Sequence, residues 1–156
     1  MKIQTLPLLL CAVMTLTGAT KKWSSTCPDN WTKINGRCFG YVLTPMSWRA
    51  AERNCVSMGG HLASVHSAQE YQDVQSLVWS ITRNYNEAWI GGSDQTKEGV
   101  WTWTDRTTFF FKSWCPGEPN NFGTGQHCLH INHTGKRCWD DNWCHIKLPS
   151  VCAKKI

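Results

Sequence analysis

The spacing of apolar positions changes partway along this chain. Between Met46 and Met58, the residues Trp48, Ala51, Cys55 and Met58 recur at intervals of three and four, with Ser47 ahead of them and Gly59-Gly60 behind. That spacing predicts an amphipathic helix, capped by Ser47, stopped by the glycines and turning Cys55 to the core. A second helix is predicted after Ser67 and Glu70, which stand at capping-box spacing ahead of a stripe of Tyr71, Val74, Leu77, Val78 and Ile81 and a close at Asn84-Tyr85-Asn86. From Ala88 onward the pattern becomes short aromatic and β-branched runs broken by glycine: AWIGG, VWTWT, TFFF, CLHIN and SVCAK. Helices first and strands afterwards predict an α+β domain, two helices against a small antiparallel sheet. Ahead of the helices, Asn35-Gly36 lies between short runs containing Trp31 and Phe39 and predicts a tight hairpin, across which Cys27 and Cys38 would face each other.

The first residues follow neither pattern. Lys2, an apolar run from about Leu6 to Leu16, and the small residues Thr17-Gly18-Ala19 have the layout of a secretory signal peptide over 1–19, leaving a single domain over 20–156. The run is shorter than the roughly 20 apolar residues a membrane span needs, and no later segment is a span candidate, so a secreted, extracellular protein is expected. Removing the leader removes one of nine cysteines, Cys11. The remaining eight, in an oxidising compartment, imply four disulfides whose pairing spacing alone leaves open. The mature chain carries a formal charge of +4, since the leader takes one basic residue from a balance of +5. The basic residues are scattered, which argues against nucleic acid as a partner.

Trp114 to Cys144 is the chemically dense stretch, with four cysteines, a Glu-Pro-Asn triplet at Glu118 and a Trp-Asp-Asp triplet at Trp139. Glu118, Asn120, Gln126, Asp140 and Asp141 are oxygen donors of the type a hard cation such as calcium takes six to eight of.

In their order, two helices, Trp89-Ile90-Gly91-Gly92, Glu118-Pro119-Asn120, Trp139-Asp140-Asp141 between Cys138 and Cys144, and Cys152 in Ser150-Val151-Cys152-Ala153 resemble a C-type lectin-like domain over roughly Cys27 to Lys154. GGHLASVHS, AWIGGSD, Cys115 and Cys138 are similar to the small secreted fish lectins related to type II antifreeze proteins. The resemblance implies a C-type lectin fold with a long calcium-binding loop region. It implies disulfides Cys27–Cys38, Cys55–Cys152, Cys128–Cys144 and, as in the fish group, Cys115–Cys138. It implies a calcium ion and a sugar held by Glu118, Asn120, Gln126, Asp140 and Asp141, with a cis bond before Pro119. Family members carry a carboxylate where this chain has Gln126 and an asparagine where it has Asp140. One acid is lost and one gained, so three carboxylates remain, while two partners of a sugar diol exchange donor and acceptor roles. Glu-Pro-Asn implies a mannose-type preference and recognition of microbial or cell-surface glycans, a role in innate immunity.

Other chemistries fit less well. Acid–base catalysis needs carboxylates with separated pKa values, whereas carboxylates around one calcium are all held ionised, and no nucleophile-elbow or zinc-protease motif is present, so no enzyme is expected. His127, His130 and His133 suggest zinc only on a helix; on a strand of period two, His130 is expected to point away from both neighbours. Ice binding is the alternative, as is a calcium-independent interaction protein, although a cysteine pair associated with the antifreeze group is replaced by Gln95 and His127. Asn30 and Asn132 open glycosylation sequons, the second expected on a loop between the arms of the site. A lone sugar site binds weakly, so avidity calls for a homo-oligomer.

Overall fold

A computed structural model describes residues 25–156; the leader lies outside the described residues. Its elements are β1 (Thr32–Ile34), β2 (Arg37–Met46), α1 (Trp48–Ser57), β3 (His61–Leu62), α2 (Ala68–Thr82), β4 (Ala88–Ser93), β5 (Thr102–Trp103), β6 (Gln126–His133), β7 (Cys138–Trp143) and β8 (Leu148–Lys155). The elements form two helices on one mixed sheet, as the resemblance to a C-type lectin-like domain implies.

Both helices begin where their caps predict. Ser47 Oγ accepts from Ala50 N at 3.3 Å, and Ser67 Oγ from Glu70 N at 3.1 Å. The α1 stripe buries Trp48, Ala51 and Cys55; the α2 stripe buries Tyr71, Val74, Leu77 and Val78, while Ile81 is left exposed. Glu70 does not close a full capping box. Its carboxylate turns inward, accepting from His66 N at 2.9 Å and pairing with Arg37 at 2.8 Å.

The sheet order is β1-β2-β8-β4-β6-β7, with β3 on β8 and β5 on β4. The β1–β2 hairpin turns at Asn35 and Gly36, φ 46° and 77°, as Asn-Gly predicts. All pairings are antiparallel except β4 with β8, which run parallel through Trp89 and Ser150. The sheet is thus antiparallel, as expected, except at one contact: the last strand inserts between β2 and β4 and meets β4 in the same direction. The TFFF run forms no strand, yet Phe109 and Phe111 alternate inward onto Trp139 while Phe110 stays exposed.

The four disulfides are Cys27–Cys38, Cys55–Cys152, Cys115–Cys138 and Cys128–Cys144. Cys55–Cys152 ties α1 to the central strand β8 across 97 residues. In the chain-entropy picture, closing so long a loop stabilises the fold by about 4–5 kcal/mol. Trp139 is fully buried and met edge-on by five rings, Tyr71, Trp103, Phe109, Phe111 and Trp114, at centroid distances of 5.6–6.0 Å. These are favourable arrangements for aromatic quadrupoles. This anchor precedes Asp140 and Asp141 directly, so the core decides where the two carboxylates sit.

Candidate functional site

Two arms build the site. The first runs from Trp114 through the cis Glu118–Pro119 bond to Asn121; the second is β7. The Cys115–Cys138 disulfide joins them, and on either side of it Cys115 N donates to Trp139 O and Trp139 N to Ser113 O, both at 2.8 Å. Glu118 N donates to Cys115 O at 2.9 Å, turning the first arm back over β7. Asp141, 1 % exposed, then fastens the loop: Oδ1 accepts from Asn120 N at 3.1 Å and Oδ2 from Asn121 N at 2.8 Å.

Carboxylate oxygens of Glu118, Asp140 and Asp141 lie within 4.8 Å of one another. Burial, and after it the neighbouring Asp140 and Asp141 carboxylates, push Glu118 up to about 7. Asn120 Nδ2 donates to Glu118 Oε1 at 2.7 Å. Gln126 stands at the buried start of β6; its main-chain N–H reaches the loop through Asn121 Oδ1 at 2.9 Å, and its Oε1 is buried without a hydrogen-bond partner. Converging acids and an orphaned amide oxygen are what a bound cation would satisfy, and the donor set is all oxygen, as calcium requires. The three carboxylates fit such an ion, while Asn120 Oδ1 accepts from Phe122 N at 2.8 Å. Glu118, Asp140 and Asp141 stand together, Asn120 is hydrogen-bonded to Glu118, and Gln126 is linked to the loop by its backbone.

Two further groups escaped the sequence reading. Asp94, Glu98 and His127 meet beside the loop, with His127 Nδ1 2.9 Å from Asp94 Oδ1 and 3.1 Å from Glu98 Oε2; Glu98 Oε1 also accepts from Asn121 Nδ2 at 2.9 Å. The four-residue spacing of Asp94 and Glu98 after the β4 strand was the available signal. The second group is Glu87, His130 and His133. Here the expectation that the strand histidines diverge is corrected. The β6–β7 register shifts between His130 and His133, Asn132 adopts φ 61°, and the two rings come to 5.3 Å edge-to-face. A bulge resets the alternation of side chains that a regular strand would enforce.

The same bulge decides Asn132. It lies within β6, not on a loop, and is 3 % exposed; its Nδ2 donates to Asn86 O at 3.0 Å and its Oδ1 accepts from Gln75 at 3.1 Å. The atom a glycan would occupy is thus engaged in the core, and Asn132 serves as a structural amide in the folded chain. Asn30 is exposed.

Cavity size does not point to this site. A cavity of about 580 Å³ lies elsewhere, among Arg37, His61, His66, Asp105 and Lys154. Its polar groups are largely committed to holding β2 against α2, through Arg37 to Ser64 and Glu70.

Residues 44–154 match the family model described as the lectin C-type domain. The chain is 37 % identical to ladderlectin of Oncorhynchus mykiss, over 99 % of this chain and 95 % of that one. It is 34 % identical to the galactose-specific lectin nattectin of Thalassophryne nattereri (95 % and 92 %), and 36 % identical to a type-2 ice-structuring protein of Hemitripterus americanus (96 % and 97 %). Among solved structures it resembles a Ca²⁺-dependent type II antifreeze protein in its Ca²⁺-free form, with TM-score 0.78 and 32 % identity over 83 % of this chain and all of that one. It also resembles a calcium-independent type II antifreeze protein, with TM-score 0.76 and 38 % identity over 83 % and 95 %. Fold, cysteine frame, loop and relatives agree, and the chain belongs to the C-type lectin domain family, beside fish lectins and type II antifreeze proteins.

Proposed function

We propose that this chain is a secreted, calcium-dependent carbohydrate-binding lectin of mannose-type preference that recognises microbial or cell-surface glycans. One observation carries the reading: the meeting of Glu118, Asp140 and Asp141 under the Asn120 amide, on a loop clamped by Cys115–Cys138. Bound calcium would supply a Lewis-acidic centre for two adjacent sugar hydroxyls. Glu118, Asp140 and Asp141 would neutralise the ion, and Asn120 and Gln126 would complete its oxygen shell and orient the hydroxyls. The work is binding, and no catalytic step is assigned. No helix among the described residues is long and apolar enough to cross a membrane.

Calorimetry on the mature chain tests the ion: calcium should bind with measurable heat and Asp141→Ala should abolish it. A glycan array with and without chelator tests the sugar. Calcium-dependent retention on mannose and not galactose is expected; retention on galactose alone would overturn the mannose preference, and no calcium heat would end the lectin reading.

Ice binding is the second reading, favoured by the similarity to ice-structuring proteins across nearly the whole chain. Thermal hysteresis in the mature protein, with no glycan retention, would establish it in place of the first.

A further inference from the structure

Behind the loop, on the far side of Asp140, two histidines face two carboxylates. His130 is 1 % exposed, and neither of its ring nitrogens has a hydrogen-bond partner. A buried imidazole with both nitrogens unsatisfied is costly, whichever of them carries the proton. Its Nε2 is aimed at Glu87 Oε1, 3.7 Å away, and Asp140 Oδ2, 3.9 Å away. Both separations exceed a hydrogen bond. His133, brought round by the β6 bulge, places Nδ1 3.2 Å from the same Glu87 oxygen and 3.6 Å from the same Asp140 oxygen.

His130 Nε2 and His133 Nδ1 thus each lie 3.2 to 3.9 Å from one oxygen of Glu87 and one of Asp140, and Glu87, His130 and His133 offer ligand atoms that all lie within 4.8 Å of one another. A tetrahedral zinc ion with bonds of about 2.0–2.1 Å holds its ligand atoms roughly 3.3 Å apart. The four N···O separations lie within about 0.6 Å of that spacing. The mixed imidazole and carboxylate set suits zinc better than calcium, which prefers oxygen alone.

The geometry points to a second metal site, a zinc site formed by His130 Nε2, His133 Nδ1, Glu87 Oε1 and Asp140 Oδ2, which shares Asp140 with the Glu118–Asp141 cluster. A zinc ion on Asp140 Oδ2 would draw on the charge of a carboxylate that the loop ion also uses, and two cations on one carboxylate repel, so zinc and calcium oppose each other. Linkage makes that opposition reciprocal: each lowers the other's affinity by the same factor. The zinc shell stands on its own geometry, whereas the opposition rests on the calcium reading above.

The test is calorimetry of zinc into metal-free mature protein, paired with Co²⁺ as a spectroscopic substitute. One zinc per chain is expected, with an intense visible Co²⁺ spectrum of tetrahedral type. His133→Asn and Glu87→Gln, both at partly exposed positions, should each weaken zinc by roughly tenfold or more, since loss of even a supporting ligand contact has that effect. Glu118→Gln should leave zinc affinity unchanged while weakening calcium, which separates the two sites. Absence of zinc heat and of a tetrahedral cobalt spectrum in the unmutated protein would overturn the site, as would full zinc affinity in a folded His133→Asn. If both metals bind with no mutual effect, the shared carboxylate is refuted. If calcium does not bind at all, the lectin reading fails, while the zinc and cobalt results still decide the zinc shell.

Discussion

Asp141 and Asn121 are joined by a 2.8 Å hydrogen bond from the Asn121 main-chain N–H to Asp141 Oδ2, while the other oxygen of the same carboxylate accepts from Asn120 N at 3.1 Å. A side chain on β7 therefore holds the backbone of the Glu-Pro-Asn arm before any ligand arrives. Hydrogen bonds to charged groups contribute about 1.5–3 kcal/mol each, less where water can replace the lost partner. Asp141→Ala should destabilise the metal-free domain by about 2 kcal/mol, measured by urea denaturation, besides removing calcium binding. Unchanged stability would mean that the loop is held by its disulfide alone.

Glu118 gives a pH signature. Its carboxyl is raised from 4.5 to about 7 in the metal-free fold, by burial first and by Asp140 and Asp141 after it. A raised folded pKa means that the fold prefers the protonated group. The contribution is fully present below about 4.5 and is lost as pH rises to about 7. Thermal melts of the metal-free protein should therefore show a fall in Tm over that window that Glu118→Gln flattens. Calcium selects the ionised form, so its affinity should climb across the same interval. A melting profile identical in the two proteins would show that the three acids do not interact.

Gln126 is where the chain departs from the family's carboxylate, and its buried Oε1 lacks a partner. Gln126→Glu would bring a fourth carboxylate to the calcium shell proposed above. In metal-free protein it should lower stability, because like charges in a buried site repel. With calcium the order should reverse, with affinity raised by about tenfold as ligand charge increases. Weaker calcium binding in Gln126→Glu would place residue 126 outside the ion's shell.

Gly91, in the Trp-Ile-Gly-Gly run of β4, packs against backbone. A Cβ there would stand 2.5 Å from Leu62 O and 3.0 Å from Thr104 Oγ1. Gly91→Ala should cost about 1–3 kcal/mol, read as a lowered denaturation midpoint. An unchanged midpoint would mean that β3 can move away from β4 freely.

Arg37 supplies the charge facing Glu70, whose side chain is 1 % exposed, at 2.8 Å. Removing one partner of a buried pair leaves an uncompensated charge, so Arg37→Met should destabilise by about 3 kcal/mol. Combining it with Glu70→Gln should recover part of the loss, and a double variant no better than the single would show that Asn35 and His66 N, not Arg37, satisfy the carboxylate.

The features legible in the sequence are those governed by short-range geometry. Apolar spacing of three and four marked α1 and α2 and Asn35-Gly36 marked the hairpin, while the family resemblance carried by the motifs from Trp89 to Cys152 implied all four disulfide pairs. The local triplets also named Glu118, Asp140 and Asp141, which do converge. What only the tertiary structure decided depends on partners distant along the chain. The parallel contact of β4 with β8 follows from where the last strand inserts. The β6 bulge is held by Asn132 donating to Asn86, 46 residues earlier, and it swings His133 beside His130 and seals the second sequon into the core. Period-two alternation is a property of an unbroken strand, and a single bulge set by cross-strand register inverts it. The sequence therefore named the histidines but could not say that they face the same carboxylates.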